Sequence, residues 1–403
     1  MTASTSIENQ LAQWCVSTTY DDIPSDVIDG MKLLVRTVIG TTVAGATAPG
    51  CQEVVDLVRG WGGADEATVW VHGGKAPLQS ASLANSTMAR ALDICDAQPP
   101  GQHIGTSLVP VALGMAELVG DVSGRDFLTA LAVGSEISYR LGLAAKLDGF
   151  DPTGICSIFA PCIAAGRILG LNQKQMLHAM ALTFNRCGGS FQANIDGSLA
   201  VRLIEGFSSQ NAVICAQLAN SGLTGPEQWL NGHWGYFHLY CKGERNEALI
   251  TGDLGKRWHC RNFGYKTRPQ CGATISSTDA ILGLLEKHPL KASDIEKIDI
   301  YMSAEKVCSL VGSGFQVGEV PQVNGQFNVR YCVANAIIRG EPILEHFTNE
   351  AVVDPAITAL ATRIETHVKP ELMEGRVELA AKSVLEVKLN NGEVLHCAAD
   401  GPS

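Results

Sequence analysis

Two aspartates and a histidine come close together in the sequence where a helix is predicted to end. Asp93 and Asp96 stand three residues apart after the apolar segment that begins at Leu83, and His103 follows a loop rich in proline and glycine. We expect the two carboxylates to share one face near the C-terminus of that helix, where the helix dipole disfavours negative charge. An imidazole titrates near neutrality and a carboxylate can orient it, so the group could perform general acid–base catalysis. The alternative is that both aspartates only begin a solvated loop.

Two other segments carry a charged residue that has two interpretations. Asp151, in the sequence GFDPTG, precedes a predicted helix, so it either caps that helix or acts beside backbone N–H groups that can receive an anion. Arg202 stands among apolar residues in the sequence DGSLAVRLIEG and is either a satisfied structural charge or a clamp for an anion.

Cations and a hydroxyl group occur in two later segments. Lys266 and Arg268, in the sequence YKTRPQC, lie on the stretch that joins two predicted domains, and Arg330 and Tyr331 precede a predicted helix. These groups could bind carboxylates, and a cation pair of this kind is otherwise a solvated face. Neither segment decides between the two interpretations by itself.

The elements that must position these residues are predicted to be helical from residue 6 to about 250. Apolar residues recur there at spacings of three and four, and two helix starts are well marked. Ser123 with Asp126 predicts the start of one long helix, and Asn172 with Gln175 predicts the start of the next. We therefore predict an all-helical domain over residues 1–255.

The pattern changes after Gly252 to a mixture of strands and helices. Ile295–Met302 and Val384–Leu389 alternate apolar and polar residues, and the dipeptide at 391–392, Asn-Gly, predicts a hairpin turn. Helices are predicted near 277–287 and over 332–339 and 355–365. We predict a smaller, lid-like α/β domain over 256–403, so the fold class is mainly α with a smaller α/β domain, α+β overall.

Composition and charge exclude several classes of protein. The chain has 403 residues, of which 46% are hydrophobic and 18% charged, as expected for a globular enzyme. Its net charge of −11 argues against binding to nucleic acid or to an anionic membrane. No window resembles a membrane span, and the first ten residues carry neither a basic stretch nor an apolar signal core, so we expect a cytoplasmic protein.

The cysteine and histidine spacings give no support for a metal site. The thirteen cysteines lie far apart and many stand in apolar runs, which is typical of buried, reduced thiols. No CxxC, HxH or HExxH spacing occurs among them and the ten histidines. We expect no metal.

Taken in order, these segments resemble the MmgE/PrpD family, which includes 2-methylcitrate dehydratase, cis-aconitate decarboxylase and iminodisuccinate epimerase. The family block LANGTMAHALDFDD is matched by LANSTMARALDICD at 83–96, GFHPTG by GFDPTG at 149–154, and DGSxxKRLHPG by DGSLAVRLIEG at 196–206. Later blocks match SGLTGP at 221–226, YKTRPQC at 265–271 and FNVRY at 327–331. The resemblance therefore covers nearly the whole chain.

The resemblance implies a homodimer that acts on a small polycarboxylate without a metal or organic cofactor. Asp93, His103, Lys266 and Tyr331 occupy positions that look like the site of the family. The implied chemistry is removal of a proton alpha to a carboxylate, with cations that stabilise the resulting charge. The cations and carboxylate assigned to substrate binding are Arg202, Arg268, Arg330 and Asp96.

Several residues depart from the family blocks. Asp151 stands in place of a histidine, Val201 in place of a lysine, Ile204 in place of a histidine, and Arg90 in place of another histidine. We predict a dehydratase-like lyase in which His103 is the general acid or base, Asp93 orients it and Asp151 is a second acid or base. A decarboxylase, an epimerase or isomerase, and a non-catalytic binding protein are the alternatives.

Overall fold

A computed structural model describes residues 6–373 and 382–400 of the chain, and helices dominate its regular structure. In chain order the helices are α1 Ile7–Ser17, α2 Ser25–Gly45, α3 Cys51–Trp61, α4 Leu78–Arg90, α5 Ile104–Val119, α6 Gly124–Ala144, α7 Phe159–Ile168, α8 Gln173–Phe184, α9 Gln192–Ile195, α10 Ala200–Asn220, α11 Tyr236–Tyr240, α12 Glu247–Thr251, α13 Gly272–Lys287, α14 Glu305–Val311, α15 Pro321–Gln326, α16 Val329–Arg339, α17 Asn349–Val352 and α18 Pro355–Ala361. The strands are β1 Ala67–Thr68, β2 Lys75–Ala76, β3 Asp96–Ala97, β4 Gly264–Tyr265, β5 Ile295–Met302, β6 Ile364–Val368, β7 Ser383–Leu389 and β8 Val394–Ala399. A mainly helical chain with a smaller α/β part is thus confirmed.

The chain divides into two compact units. The first comprises Met1–Ala91, Cys95–Ser190 and Arg202–Phe263, and the second comprises Leu92–Ile94, Phe191–Val201 and Gly264–Ser403. Two short segments from the earlier part of the chain therefore belong to the second unit. The domain boundary near residue 255 stays a prediction.

The first unit is a helical assembly whose two predicted start signals are confirmed. The Ser123 hydroxyl accepts the N–H of Asp126 at 3.1 Å and begins α6. The Asn172 side chain accepts the N–H of Gln175 at 3.0 Å, while the Gln175 side chain accepts the N–H of Asn172 at 3.0 Å. This reciprocal capping satisfies N–H groups that have no partner inside a helix, so α8 begins where the sequence predicts.

A glycine allows two helices of the first unit, α6 and α7, to pack at close range. A Cβ atom at Gly134 in α6 would lie 2.6 Å from the carbonyl oxygen of Ala160 in α7. That separation is far below a van der Waals contact, so any larger residue would push α6 and α7 apart. The Ala- and Gly-rich composition of this half therefore reflects close helix packing.

A buried arginine attaches the segment that follows α12 to α6. Arg140 is fully buried, and its Nε donates to Glu136 at 2.6 Å, while its Nη1 donates to Asp253 at 2.8 Å. It also donates to the carbonyl of Arg257 at 2.7 Å, and Glu136 accepts the N–H of Cys260 at 3.0 Å. A buried ion pair is tolerated when further hydrogen bonds satisfy both partners, as they do here.

The second unit contains a four-stranded sheet in the order β6-β5-β7-β8. β5 pairs in parallel with β6 and antiparallel with β7, and β7 pairs antiparallel with β8. Alternate residues of β5, including Ile298 and Ile300, are fully buried in a core that also contains residues of α13, α16 and α18. Gly392, at φ +87°, occupies the predicted hairpin turn between β7 and β8.

The helix predicted over 355–365 is wrong at its C-terminal end. α18 ends at Ala361, and Ile364 and Glu365 begin β6, which pairs with β5 from Ile298 onward. The N–H of Ile298 donates to the carbonyl of Arg363 at 3.0 Å, so this part of the chain is extended by sheet pairing. Its β-branched residues suit a strand, which the local periodicity did not reveal.

Two observations concern the apolar character of the helices and the state of the cysteines in the part of the chain that the structure describes. Within residues 6–373 and 382–400, no helix combines the length and apolar character that crossing a bilayer requires. All thirteen cysteines are free thiols, and most of them are buried, as the sequence predicts.

Candidate active site

The segment between α4 and α5 holds three of the predicted site residues, and its conformation differs from the prediction. α4 ends at Arg90, before either aspartate, so the expectation that Asp93 and Asp96 share a helix face is wrong. Asp93 has a left-handed backbone conformation at φ 53°, and Asp96 lies in the short strand β3. Aspartate adopts the left-handed region more readily than most residues, which suits Asp93 to this position.

His103 is buried immediately before α5, and one of its two ring nitrogens is fixed by the backbone. Nδ1 lies 2.7 Å from the carbonyl oxygen of Asp96 and 3.4 Å from the Cys95 sulfur. A carbonyl oxygen only accepts hydrogen bonds, so Nδ1 must carry a hydrogen. In the neutral imidazole, Nε2 therefore holds the lone pair that can take up a proton.

The Asp96 side chain stabilises the start of the helix that follows His103. Its Oδ2 accepts the N–H of Gly105 at 2.9 Å, and the residue is fully buried. A carboxylate beside the N-terminus of a helix is favoured by the helix dipole. Asp96 therefore holds His103 twice, through its backbone carbonyl and through the first turn of α5.

Lys266 and Asp93 form a buried ion pair inside the second unit. Lys266 Nζ lies 2.7 Å from Asp93 Oδ1, with side-chain exposures of 3% and 1%. The two residues are 173 positions apart in the sequence. A buried ammonium group needs such a partner, because desolvation strongly disfavours an isolated charge.

Asp151 caps the start of a helical segment, which is one of its two predicted roles. Its Oδ1 accepts the N–H of Thr153 at 2.8 Å, where a turn of π-helix, Thr153–Ser157, leads into α7. The N–H of Asp151 donates to the carbonyl of Gly189 at 3.2 Å. The residue is buried, with 4% of its surface exposed, so its carboxylate is held in one place.

The three arginines assigned to substrate binding all have partners within the protein. Arg202 is buried inside α10, and its guanidinium donates to the carbonyl of Pro49. Arg268 forms ion pairs with Asp279 at 2.5 Å and with Glu341 at 2.6 Å, and Arg330 donates to the carbonyl of Gly312 at 3.1 Å. Their role in binding substrate stays a prediction.

Tyr331 lies in the first turn of α16, within the core of the second unit. Its hydroxyl donates to the carbonyl of His346, and its ring packs against Phe347 at a centroid distance of 5.6 Å. Burial raises the pKa of this hydroxyl well above its ordinary value. Tyr331 is therefore a neutral hydrogen-bond donor rather than a base at physiological pH.

One group on the sheet of the second unit has the residue types of a metal site. Asp299, Glu365 and His367 place one potential ligand atom each within 4.8 Å of the others. Lys297 already lies 3.0 Å from Asp299 and 2.8 Å from Glu365, and His367 Nε2 lies 2.6 Å from Asp299. The ammonium group of Lys297 compensates the charge that a metal ion would otherwise balance.

Two further buried residues were not identified from the sequence. Cys95 contacts the imidazole, as described above, and it stands where the family block has an aspartate. Glu205, on α10, is fully buried, and burial raises its pKa to about 8. An acidic residue in the apolar stretch LAVRLIEG, at the position of the proline in DGSxxKRLHPG, was the signal that could have identified it.

Comparison with known proteins establishes the family. The MmgE/PrpD N-terminal domain matches residues 9–249, and the MmgE/PrpD C-terminal domain matches residues 269–402. The chain is 22% identical to cis-aconitate decarboxylase of Aspergillus terreus over 430 residues, which cover 99% of this chain and 86% of that protein. It is 23% identical to the cis-aconitate decarboxylase-like protein oryM of Aspergillus oryzae, over 96% of this chain and 84% of that protein. It is 24% identical to human cis-aconitate decarboxylase over 53% of this chain and 46% of that protein. The chain belongs to the MmgE/PrpD family.

Proposed function

We propose that this protein is a lyase that acts on a small polycarboxylate by moving a proton at a carbon next to a carboxylate. Decarboxylation of an acid such as cis-aconitate is the reaction to test first, because that activity is named for the relatives that align with most of the chain. The single observation that supports proton transfer best is the hydrogen bond from His103 Nδ1 to the Asp96 carbonyl oxygen. That bond leaves Nε2 as the nitrogen that exchanges protons.

His103 serves either direction of proton transfer through the same nitrogen. In decarboxylation, the bond between a carbon and its carboxylate breaks, carbon dioxide leaves, and the electron pair is protonated at carbon by Nε2–H of the imidazolium. In dehydration, neutral Nε2 removes the proton alpha to a carboxylate, and a hydroxyl group leaves as water after protonation by a second acid. Epimerisation uses the same removal and returns the proton to the opposite face.

Lys266 is the cation that we assign to a substrate carboxylate. An ammonium group has three hydrogens, and Asp93 accepts one of them at 2.7 Å. A second hydrogen can stabilise the negative charge that develops on a carboxylate next to the reacting carbon. In this proposal, Asp93 holds the ammonium group in position and balances its charge.

The remaining assignments follow from the sequence and stay predictions. Asp151 is the candidate for the second acid or base, since it stands where the family block has a histidine. Tyr331 and the three arginines contribute hydrogen bonds or charge. The proposal includes a homodimer in the cytoplasm that needs no cofactor.

Proton NMR in D₂O tests the proposal with cis-aconitate, citrate and 2-methylcitrate as substrates. We expect deuterium to enter the carbon-bound positions of at least one acid, with loss of carbon dioxide or water identifying the reaction. A His103→Gln variant should lose this exchange by a factor of roughly 10²–10⁴ while its circular dichroism is unchanged. If saturation-transfer NMR detects binding of an acid but no deuterium exchange occurs, the protein is a binding protein instead. Full activity in the His103→Gln variant would show that His103 has no part in the mechanism.

A further inference from the structure

Glu205 is a buried carboxyl group that the proposed mechanism does not use. It lies on α10 with none of its surface exposed, and neither carboxyl oxygen has a hydrogen bond of good geometry. Unpaired buried carboxylates are strongly disfavoured, and such a group usually holds a proton instead. Burial accordingly raises the pKa of Glu205 to about 8. The hydroxyl groups of Thr106 and Ser107 and the guanidinium group of Arg90 lower this pKa, but their effect is smaller than that of burial.

The two hydroxyl groups near Glu205 belong to the first turn of α5, which begins directly after His103. The Thr106 hydroxyl donates to the carbonyl oxygen of His103 at 2.8 Å, and the Ser107 hydroxyl donates to that of Ile104 at 3.5 Å. A hydroxyl group has one hydrogen, so each can only accept while it makes its backbone bond. A protonated Glu205 can donate to such an oxygen, whereas an ionised Glu205 has no hydrogen to donate.

The charges that face Glu205 from other elements oppose each other. Arg90, at the end of α4, favours the ionised form, and Asp96, which precedes α5, favours the protonated form. Both side chains are buried, with 4% and 0% of their surface exposed, so solvent screens neither of them fully. Because these two charges act in opposite directions, burial has the largest effect on the pKa of Glu205.

We propose that Glu205 is a positioning residue for His103 and that it acts through the Thr106 hydroxyl. The inference rests on the proposed function in one respect, namely that His103 transfers the proton. With Glu205 protonated, its hydroxyl hydrogen goes to Thr106 Oγ1, and the Thr106 hydrogen goes to the carbonyl of His103. The backbone of His103 is then fixed by this chain and its imidazole by the Asp96 carbonyl.

Ionisation of Glu205 reverses the direction of the Thr106 hydrogen. The carboxylate accepts the hydroxyl hydrogen, and the carbonyl of His103 loses the hydrogen bond from Thr106. Turnover should therefore fall as the pH rises through about 8. The loss is reversible, because only a hydroxyl rotation and one proton are involved.

The test compares the pH dependence of kcat in the wild type and three variants. Glu205→Gln is permanently neutral and its amide can always donate to Thr106, so we expect the alkaline decrease near pH 8 to disappear. Thr106→Val removes the connecting hydroxyl, so kcat should be lower and should no longer respond to Glu205. Glu53→Gln makes the same chemical change on the exposed face of α3 and should keep the wild-type profile.

A second measurement needs no turnover. Long-range ¹H–¹⁵N spectra report the ring nitrogens of His103, whose signals are identified by their loss in His103→Gln. We expect an inflection near pH 8 in the wild type that is absent in Glu205→Gln and in Thr106→Val. Persistence of the kcat decrease or of this inflection in Glu205→Gln would overturn the inference.

The two measurements separate the inference from the proposed function. If none of the acids is turned over but the inflection depends on Glu205, the contact stands and the proposed function fails. If an acid is turned over and Glu205→Gln changes neither profile, the proposed function stands and the inference fails.

Discussion

Neutralising Asp93 alone should destabilise the second unit by about 3–5 kcal/mol, because it leaves a buried ammonium group without its counter-charge. Asp93→Asn keeps the size of the side chain and removes only the charge that lies 2.7 Å from Lys266. Lys266→Met removes the other partner and leaves a carboxylate that is 1% exposed. We expect the two single variants to lose similar free energies of unfolding.

The double variant Asp93→Asn/Lys266→Met tests whether the lost stability comes from an uncompensated charge or from other contacts of the two side chains. It contains no uncompensated charge, so its free energy of unfolding should return to within about 1 kcal/mol of the wild type. Turnover should not return, because the ammonium group that binds the substrate carboxylate is absent. Recovered stability without recovered activity would separate the structural and the chemical roles of the pair.

The assay must report on the second unit. All six tryptophans lie in the first unit, so intrinsic fluorescence follows that unit. Urea unfolding is therefore followed by far-ultraviolet circular dichroism and by hydrogen exchange of peptides from α13. Single variants that lose less than about 1 kcal/mol, or a double variant as unstable as the sum of both, would refute the reasoning.

Three further variants test other parts of the molecule. Arg140→Met leaves the buried Glu136 carboxylate without its cation, so the urea midpoint of tryptophan fluorescence should fall by the equivalent of about 3–5 kcal/mol, and a loss below about 1 kcal/mol would contradict this. The pKa of Glu205 is about 8 in the folded protein, against an ordinary value of 4.5 for the exposed side chain of the unfolded chain. At any pH between these two values, folding therefore takes up a proton. Wild-type stability should therefore fall by about 1.4 kcal/mol per pH unit across that range and level off above it, and Glu205→Gln should lack this slope in urea titrations. Asp151→Asn still caps Thr153 through its amide oxygen, so the thermal midpoint should hardly change while turnover falls by roughly 10²-fold or more; unchanged turnover would leave Asp151 as a cap only.

The elements that the sequence predicts best are those whose signals are local. β5 occupies the predicted residues Ile295–Met302, because alternate burial and strand geometry share the same period of two. The start of α8 follows from the Asn172 and Gln175 side chains alone, which satisfy each other's backbone N–H groups. By contrast, the end of α18 depends on pairing between β5 and β6, which no local pattern of residues 355–365 contains.

The sequence predicts which residues belong to the candidate site, but it does not predict which of them contact each other. The sequence identifies Asp93 and Lys266 separately, yet their pairing across 173 positions requires the folded second unit. It also places Asp93 and Asp96 together, whereas in the structure Asp93 pairs with Lys266 and Asp96 accepts the N–H of Gly105. Their spacing of three suggests one helical face only if the helix continues, and α4 ends at Arg90 instead.

Two of the departures from the family blocks are physically linked. Arg90 replaces a histidine and Glu205 replaces a proline, and Arg90 is the cation that lowers the pKa of Glu205 in the folded protein. A buried carboxyl group without that cation would hold its proton to a still higher pH, and a buried guanidinium group without a nearby carboxyl group would lose charge compensation. Arg90 and Glu205 are therefore best understood as one exchange, in which a histidine and a proline are replaced by a guanidinium group and a carboxyl group that interact electrostatically. The replacement of a lysine by Val201 and of a histidine by Ile204 is different, because an apolar side chain takes the place of each polar one and no new charged group compensates for them.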